Sequence, residues 1–308
     1  MHFPKIGTVF GQNRGVYFIT NFFIMKFFFC AVAVGLSLFA SAQPFSFDIY
    51  AGTGHYAGDL QTKRFDLNQA QIALGAGLSY AFTPKWSLRG AANYIRLYGA
   101  DVKPSASKSA TDRNLMFKTA VWEAQLAVEY QLLDIEERGF SPYVFAGIAA
   151  FHYNPYAYDS TGNKVFLRSL ATEGQGLSAY PEKQLYKNKQ FAIPFGGGIK
   201  LALSDRLQLG VEVGLRKLFT DYLDDVSGTY ADSSILAGAR GPQAAAFAFR
   251  GKELDPNTPY PAEGSIRGNP SNKDWYFTAG IRFNYRFGGG NNGSGSKRSK
   301  MGCPTNIY

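Results

Sequence analysis

Few residues in this chain have the types and spacing that chemistry needs. Beyond residue 42 the histidines are His55 and His152, far apart in sequence. With a Ser and an acid, either could activate a nucleophile for hydrolysis. No G-x-S-x-G elbow accompanies them and no spacing assembles a triad, so loop histidines without a catalytic role are the preferred reading. Cys and His also lack metal-ligand spacing. Asp221, Asp224 and Asp225 put three carboxylates close together. Hard cations such as calcium take several carboxylate oxygens, but the Gly and Glu of an EF-hand loop do not follow. The plainer expectation is that these acids hydrogen-bond to loop backbone at the end of a strand. Nothing in the sequence asks for a cofactor.

The cysteines are Cys30 and Cys303. Cys30 lies in an apolar run, Phe27 to Phe39, that follows Met25-Lys26 and ends at Ala40-Ser41-Ala42. The run is too short to span a bilayer as a helix. With its small-x-small end it reads as a secretory signal peptide over 1–42, in which 1–24 are an over-long start. An N-terminal anchor is the disfavoured alternative. Cleavage leaves Cys303 alone, which excludes a disulfide within the chain and leaves a free thiol or an intermolecular bridge.

The elements that must position these residues show in the composition. The 308 residues are 45% hydrophobic, 16% aromatic and 18% charged, with 34 Gly. So low a charged share excludes a disordered polyelectrolyte or a long coiled coil. Past the leader no apolar stretch is long enough for a transmembrane helix. What repeats, eight times, is period-two alternation. In the last run Trp275, Phe277, Ala279, Ile281, Phe283, Tyr285 and Phe287 share one face, and Tyr276, Thr278, Gly280, Arg282, Asn284 and Arg286 the other. Runs beginning near Phe45, Ile72, Trp86, Trp122, Ile193 and Leu207 alternate likewise, and one about Tyr143 to Tyr153 does so weakly.

Between the runs, long and short connections alternate. The long ones cover 57–68, 98–114, 154–190 and 222–273; the short ones 83–85, 133–140 and 204–206. An even number of antiparallel strands with short periplasmic turns and long outer loops describes an outer-membrane barrel. The prediction is therefore an all-β fold: an eight-stranded antiparallel transmembrane β-barrel of up-and-down topology over 43–287, both mature termini periplasmic. Tyr80, Phe82, Trp86, Tyr130, Trp275 and Phe287 fall at strand ends on the apolar face, as interfacial girdles do. A soluble lipocalin-like barrel would instead turn its apolar face inward.

The inward set then holds Asp48, Glu123, Glu129 and Glu212 against Arg89, Lys200, Arg216, Arg282 and Arg286. Buried charges must pair or cost several kcal/mol each. Eight strands leave an interior just wide enough for side chains. A salt-bridged plug is thus expected in place of a channel, with inward Gly making room for long Arg and Glu side chains. The basic excess is scattered and forms no Arg/Lys stripe, so nucleic acid is not an expected partner. Membrane lipid is, with lipopolysaccharide phosphates as counter-ions. From Gly288 the chain reads GGGNNGSGSKRSK, so 288–308 is expected to be a flexible periplasmic tail bearing Cys303, solvated or tethering a periplasmic partner.

Three stretches carry a family resemblance. They are Tyr56-Ala57-Gly58-Asp59-Leu60, the Gly-rich run Phe195 to Lys200, and above all Glu212 to Tyr230, with Asp221, Tyr222, Asp224, Asp225, Gly228 and Tyr230. In these the chain resembles the Bacteroidetes outer-membrane proteins known by the domain name DUF6089, which include PorG of the type IX secretion system. The resemblance spans the mature chain. It implies a non-enzymatic barrel coupling the surface to periplasmic secretion-ring proteins. The alternative is a surface-binding or envelope-stabilising barrel whose long loops take an extracellular ligand.

Overall fold

The computed structural model describes residues 45–61, 69–101 and 112–287. The expected signal peptide, tail and Cys303 lie outside them. Eight long strands make the barrel: β1 (Phe45–Ala57), β2 (Gln71–Ala81), β3 (Trp86–Ala100), β4 (Met116–Gln131), β5 (Phe140–His152), β8 (Lys189–Ala202), β9 (Leu207–Leu218) and β10 (Trp275–Arg286). Each pairs antiparallel with its neighbours in sequence order. The barrel closes where β1 meets β10, from Ser46 opposite Arg286 to Ala57 opposite Trp275. Closure leaves no sheet edge, the condition for crossing a lipid phase with strands.

Side-chain parity follows the alternation in the sequence. Val144, Ile148, Ile199 and Val211 on the outer surface are between half and two-thirds exposed, while Asp48, Arg89, Glu129 and Glu212 inside are nearly inaccessible. A water-soluble protein would not expose an apolar surface of this extent; lipid is its natural solvent, and the chain is a membrane barrel of the outer-membrane type. Aromatic rings border the band. At the short-turn rim Trp86 lies 4.6 Å from Tyr130, and Tyr80 packs on Phe45 and Phe82. At the opposite rim Tyr94 lies 4.8 Å from Trp122 and Phe195 faces Trp275. Trp275 and Tyr285 are ten residues apart on β10. That is about 33 Å along the strand and about 25 Å along the axis at the usual tilt, the height of an outer-membrane apolar band. Phe277 departs from the pattern: it is buried, stacked on His55 with centroids 4.9 Å apart.

The link at 133–140 contains one helical turn, α1 (Ile135–Arg138). Asp134 caps it through Glu136 N–H, and Gly139 ends it at φ 78°. The two longest connections are not plain loops. The first forms a hairpin, β6 (Tyr156–Tyr158) with β7 (Lys164–Phe166), joined to β4 where Lys118 faces Tyr156, then α2 (Leu167–Leu170). The second forms α3 (Ser233–Arg240), capped by the Asp232 carboxylate, and α4 (Pro242–Ala248), with Pro at its first turn. Leu167, Leu170, Leu223, Leu236 and Phe247 give this dome an apolar core continuous with the upper lumen.

Candidate functional site

The lumen is filled in layers. Nearest the short turns, Asp48 accepts from Ser79 Oγ at 2.5 Å and Asn284 Nδ2 at 2.9 Å. In the middle, Glu129 pairs with Lys200 and Arg89, and Glu212 with Arg89 (2.7 Å) and Arg282 (2.7 Å), while the Tyr143 hydroxyl donates to Glu212 at 2.7 Å. Above, Glu123 holds Arg216 at 3.2 Å and accepts from Tyr276 (2.5 Å) and Asn93 (2.7 Å). Arg286 is a correction to the expected interior set. It sits at the last residue of β10, at the mouth, and pairs at 2.6 Å with exposed Glu136 of α1. The lumen therefore carries four acids and four bases, a neutral plug.

Inward glycines make room for a charged side chain, as expected, at Gly214, where a Cβ would meet Arg216 Nη1 at 2.6 Å, and for aromatic rings at Gly196 and Gly198. A Cβ on Gly198 would lie 2.1 Å from Val211 O and 2.9 Å from the Tyr143 ring; one on Gly196 would meet Val213 O at 2.1 Å and the Phe145 ring at 3.0 Å. The Gly-rich run of β8 thus admits two aromatic rings chiefly, and Phe145 then carries the Arg89 guanidinium over its face at 4.5 Å. The gap between Tyr50, Asn93, Glu212 and Arg282 is too tight to admit a water molecule, so it offers no small-molecule site.

At the long-loop end, residues of the first and third motif stretches, Tyr56–Leu60 and Glu212–Tyr230, converge. The Tyr56 hydroxyl donates to Asp224 Oδ2 at 2.5 Å, lies 3.3 Å from Asp274 Oδ1, and accepts from Leu60 N at 3.4 Å. Gly58 is where this cage leaves no space: its Cβ would fall 2.0 Å from Asp274 Oδ1. Asp59 Oδ2 accepts from Asn269 N at 2.8 Å, and its carbonyl from Arg113. The three neighbouring acids diverge. Asp221 takes Ser227 Oγ (2.8 Å), Asp224 takes Val226 N (2.9 Å), and Asp225 takes Thr172 (2.5 Å) and Tyr186 (2.7 Å). Gly228 N donates to Glu173 at 3.0 Å, as does the Tyr222 hydroxyl at 3.2 Å. Tyr230 bonds through its backbone to Ser265 and Gly264. Among the described residues no group of three or more His, Cys, Asp or Glu side chains is disposed to hold a metal ion.

Burial pushes the dome carboxyls up: Asp221 to about 7, Asp225 to about 6, and Asp224 and Asp274 well above the ordinary range. Asp274 is raised further by the charges of Asp224 and Asp221. One tyrosine hydrogen serves two acceptors here, so the neutral form of a carboxyl is favoured.

Two ion pairs tie the dome together, and neither was visible in the sequence. Glu173 receives Arg267 at 3.0 Å and Ser227 N at 2.9 Å; Arg267 continues to Asp225 O (2.6 Å) and Ala248 O (3.1 Å). Arg113 grips Asp101 with two hydrogen bonds, 2.8 and 2.7 Å, and donates to Arg267 O. The histidines are not brought together. His55 lies 3.0 Å from Thr53 Oγ1 and stacks on Phe277, and His152 is exposed on the outer face of β5.

Among solved structures the chain is similar to Neisserial surface protein A (9% identity, 79% of this chain and 97% of that one, TM-score 0.39). It is also similar to Ail, the attachment invasion locus protein of Yersinia pestis (8%, 80% and 99%, 0.37), and a major outer membrane protein of Thermus thermophilus (12%, 79% and 99%, 0.39). No curated protein matches it. A family profile described as "Domain of unknown function (DUF6089)" matches residues 24–237, from the leader through the strongest motif stretch. With more than half its length matched, the chain belongs to the DUF6089 family.

Proposed function

We propose that this chain is a non-catalytic structural barrel of the outer membrane, PorG-like, serving as an accessory component of type IX protein secretion. The observation that carries the structural part of the reading is the pairing of a charge-neutral, filled lumen with a dome that joins Tyr56 of one motif stretch to Asp224 of another. Such a molecule offers a rigid body and no aqueous path. In the proposed orientation the long-loop dome is extracellular and both termini are periplasmic, following the usual placement of short turns. The 288–308 tail then reaches periplasmic secretion-ring proteins, and Cys303 gives a handle for capturing them. The secretion role rests on the family resemblance of Tyr56–Leu60 and Glu212–Tyr230.

The test is deletion of the gene followed by an assay of secreted type IX cargo. Loss of secretion, restored by the full chain, supports the role; unchanged secretion rejects it. The order and size of the dome favour a second reading, a surface-binding or envelope-stabilising barrel. Pull-downs with dome-deleted and tail-deleted variants separate the two. Loss of an external ligand with the dome supports the second, and loss of a ring protein with the tail supports the first.

A further inference from the structure

The lipid-facing surface ends differently at its two rims. Across the eight barrel strands, no outward position carries Asp or Glu. Four outward positions carry Lys or Arg, namely Arg96, Lys118, Lys189 and Lys217, and all four stand at the long-loop rim. Their level follows from the strand register. Arg96 is one outward step beyond Tyr94 of the aromatic girdle. Lys189 pairs with His152, which pairs with Trp122, and Lys217 pairs with Trp275. Lys118 lies two outward steps beyond Trp122, its ammonium 5.6 Å from the Tyr98 ring and 5.4 Å from that of Tyr158.

Among the described residues none of the four is in a salt bridge. The lumen and the dome pair their most buried cations with acids, whereas these four, on the lipid-facing surface, have no carboxylate partner among the described residues. At the other rim the charges are mixed, and Arg286 pairs with Glu136. Long basic side chains at an apolar edge lay their stems on the apolar surface and present their charge at headgroup level. There the available counter-charge is lipid phosphate, which takes several N–H donors at once.

We propose that Arg96, Lys118, Lys189 and Lys217 form a basic collar that docks the phosphates of a phosphorylated glycolipid, of the lipid A class, in the leaflet at the long-loop rim. The assignment to that leaflet rests on the outer-membrane orientation proposed above; the phosphate preference is measured on the purified protein and stands or falls separately. His152, beside Lys189, adds a fifth donor.

The experiment is native mass spectrometry of the full chain in detergent with bis-phosphorylated lipid A, the same lipid stripped of phosphate, and phosphatidylglycerol. Wild type is expected to retain the phosphorylated glycolipid best. Each cation removed should weaken retention roughly five-fold, so R96Q/K118Q/K189Q/K217Q loses a hundred-fold or more. The triple Lys→Arg variant should keep binding. All these side chains point outward, so folding is checked by the mobility shift of unheated protein on gels; if the quadruple variant does not fold, K189Q and K217Q singly carry the test. Equal retention of the phosphorylated and stripped lipids, or of phosphatidylglycerol, overturns the proposal, as does a folded quadruple variant that binds like wild type. Long loops found on the periplasmic side by protease shaving of cells would reject the orientation and leave the phosphate preference intact.

Discussion

Replacing Glu212 with Gln keeps the side-chain shape and removes one negative charge from the middle of the lumen. Glu212 is 2% exposed, and three groups depend on it: Arg89 at 2.7 Å, Arg282 at 2.7 and 3.0 Å, and the Tyr143 hydroxyl at 2.7 Å. In the variant Arg89 retains Glu129 at 3.3 Å, and Arg282 retains the face of Tyr50 at 5.3 Å. The lumen then holds four cations against three anions. Removing one partner of a buried pair costs about 3–5 kcal/mol, which shifts the unfolding equilibrium roughly a hundred-fold or more. E212Q/R282M restores the charge balance. It should lose less than the two single variants summed, by about 1.5 kcal/mol. The assay is urea titration of protein folded in lipid vesicles, read by gel mobility of unheated samples and by tryptophan fluorescence. An E212Q protein within about 0.5 kcal/mol of wild type, or strictly additive single variants, would refute the paired-charge account of the lumen.

Other consequences follow from the dome and the glycine-lined wall. Gly198→Val drives a side chain into Val211 O and the Tyr143 ring; a loss of about 1–3 kcal/mol is expected by the same titration, and wild-type stability contradicts the packing described. Glu173→Ala strands Arg267 inside the dome and leaves two backbone N–H groups without their acceptor. Proteolysis within 219–274 should accelerate while the barrel keeps its gel mobility, and simultaneous loss of both would contradict a separately stabilised dome. Burial raises Asp221 to about 7 and Asp225 to about 6, against about 3.9 for a free Asp. Their contribution to stability is full below about pH 4 and lost as pH rises through about 7. Hydrogen exchange corrected for intrinsic rate should therefore be slower around residues 221–228 at pH 5 than at pH 8. Asp221→Asn should flatten the difference, and greater protection at pH 8 contradicts the burial argument.

The barrel could be read from the sequence because its two faces follow one parity rule over eight segments. Lumen residues such as Glu212 and Arg216 are set by strand position alone, and a strand's parity is visible in its letters. Arg286 shows the limit of that rule. Parity gives the face but not the depth, and the last residue of β10 reaches the mouth, where α1 supplies Glu136. The role of Gly196 and Gly198 needed the third dimension, because the rings packed against them come from β5. The dome was legible only through the resemblance of Tyr56–Leu60 and Asp221–Tyr230. Glu173–Arg267 joins positions 94 residues apart in chain order, and no periodicity marks such a contact. A signal for its helices was present: Asp232 before Ser233-Ser234, then Gly241-Pro242 ahead of an Ala-rich run, are helix start and stop residues.

Above all, the barrel's lumen is filled by its own side chains, and planar-bilayer recording of the purified full chain tests the consequence directly. A lumen filled by four acids and four bases, topped by the loop dome, predicts no steady open-channel current at any moderate voltage. Reproducible single-channel steps that persist in the wild-type protein would contradict it.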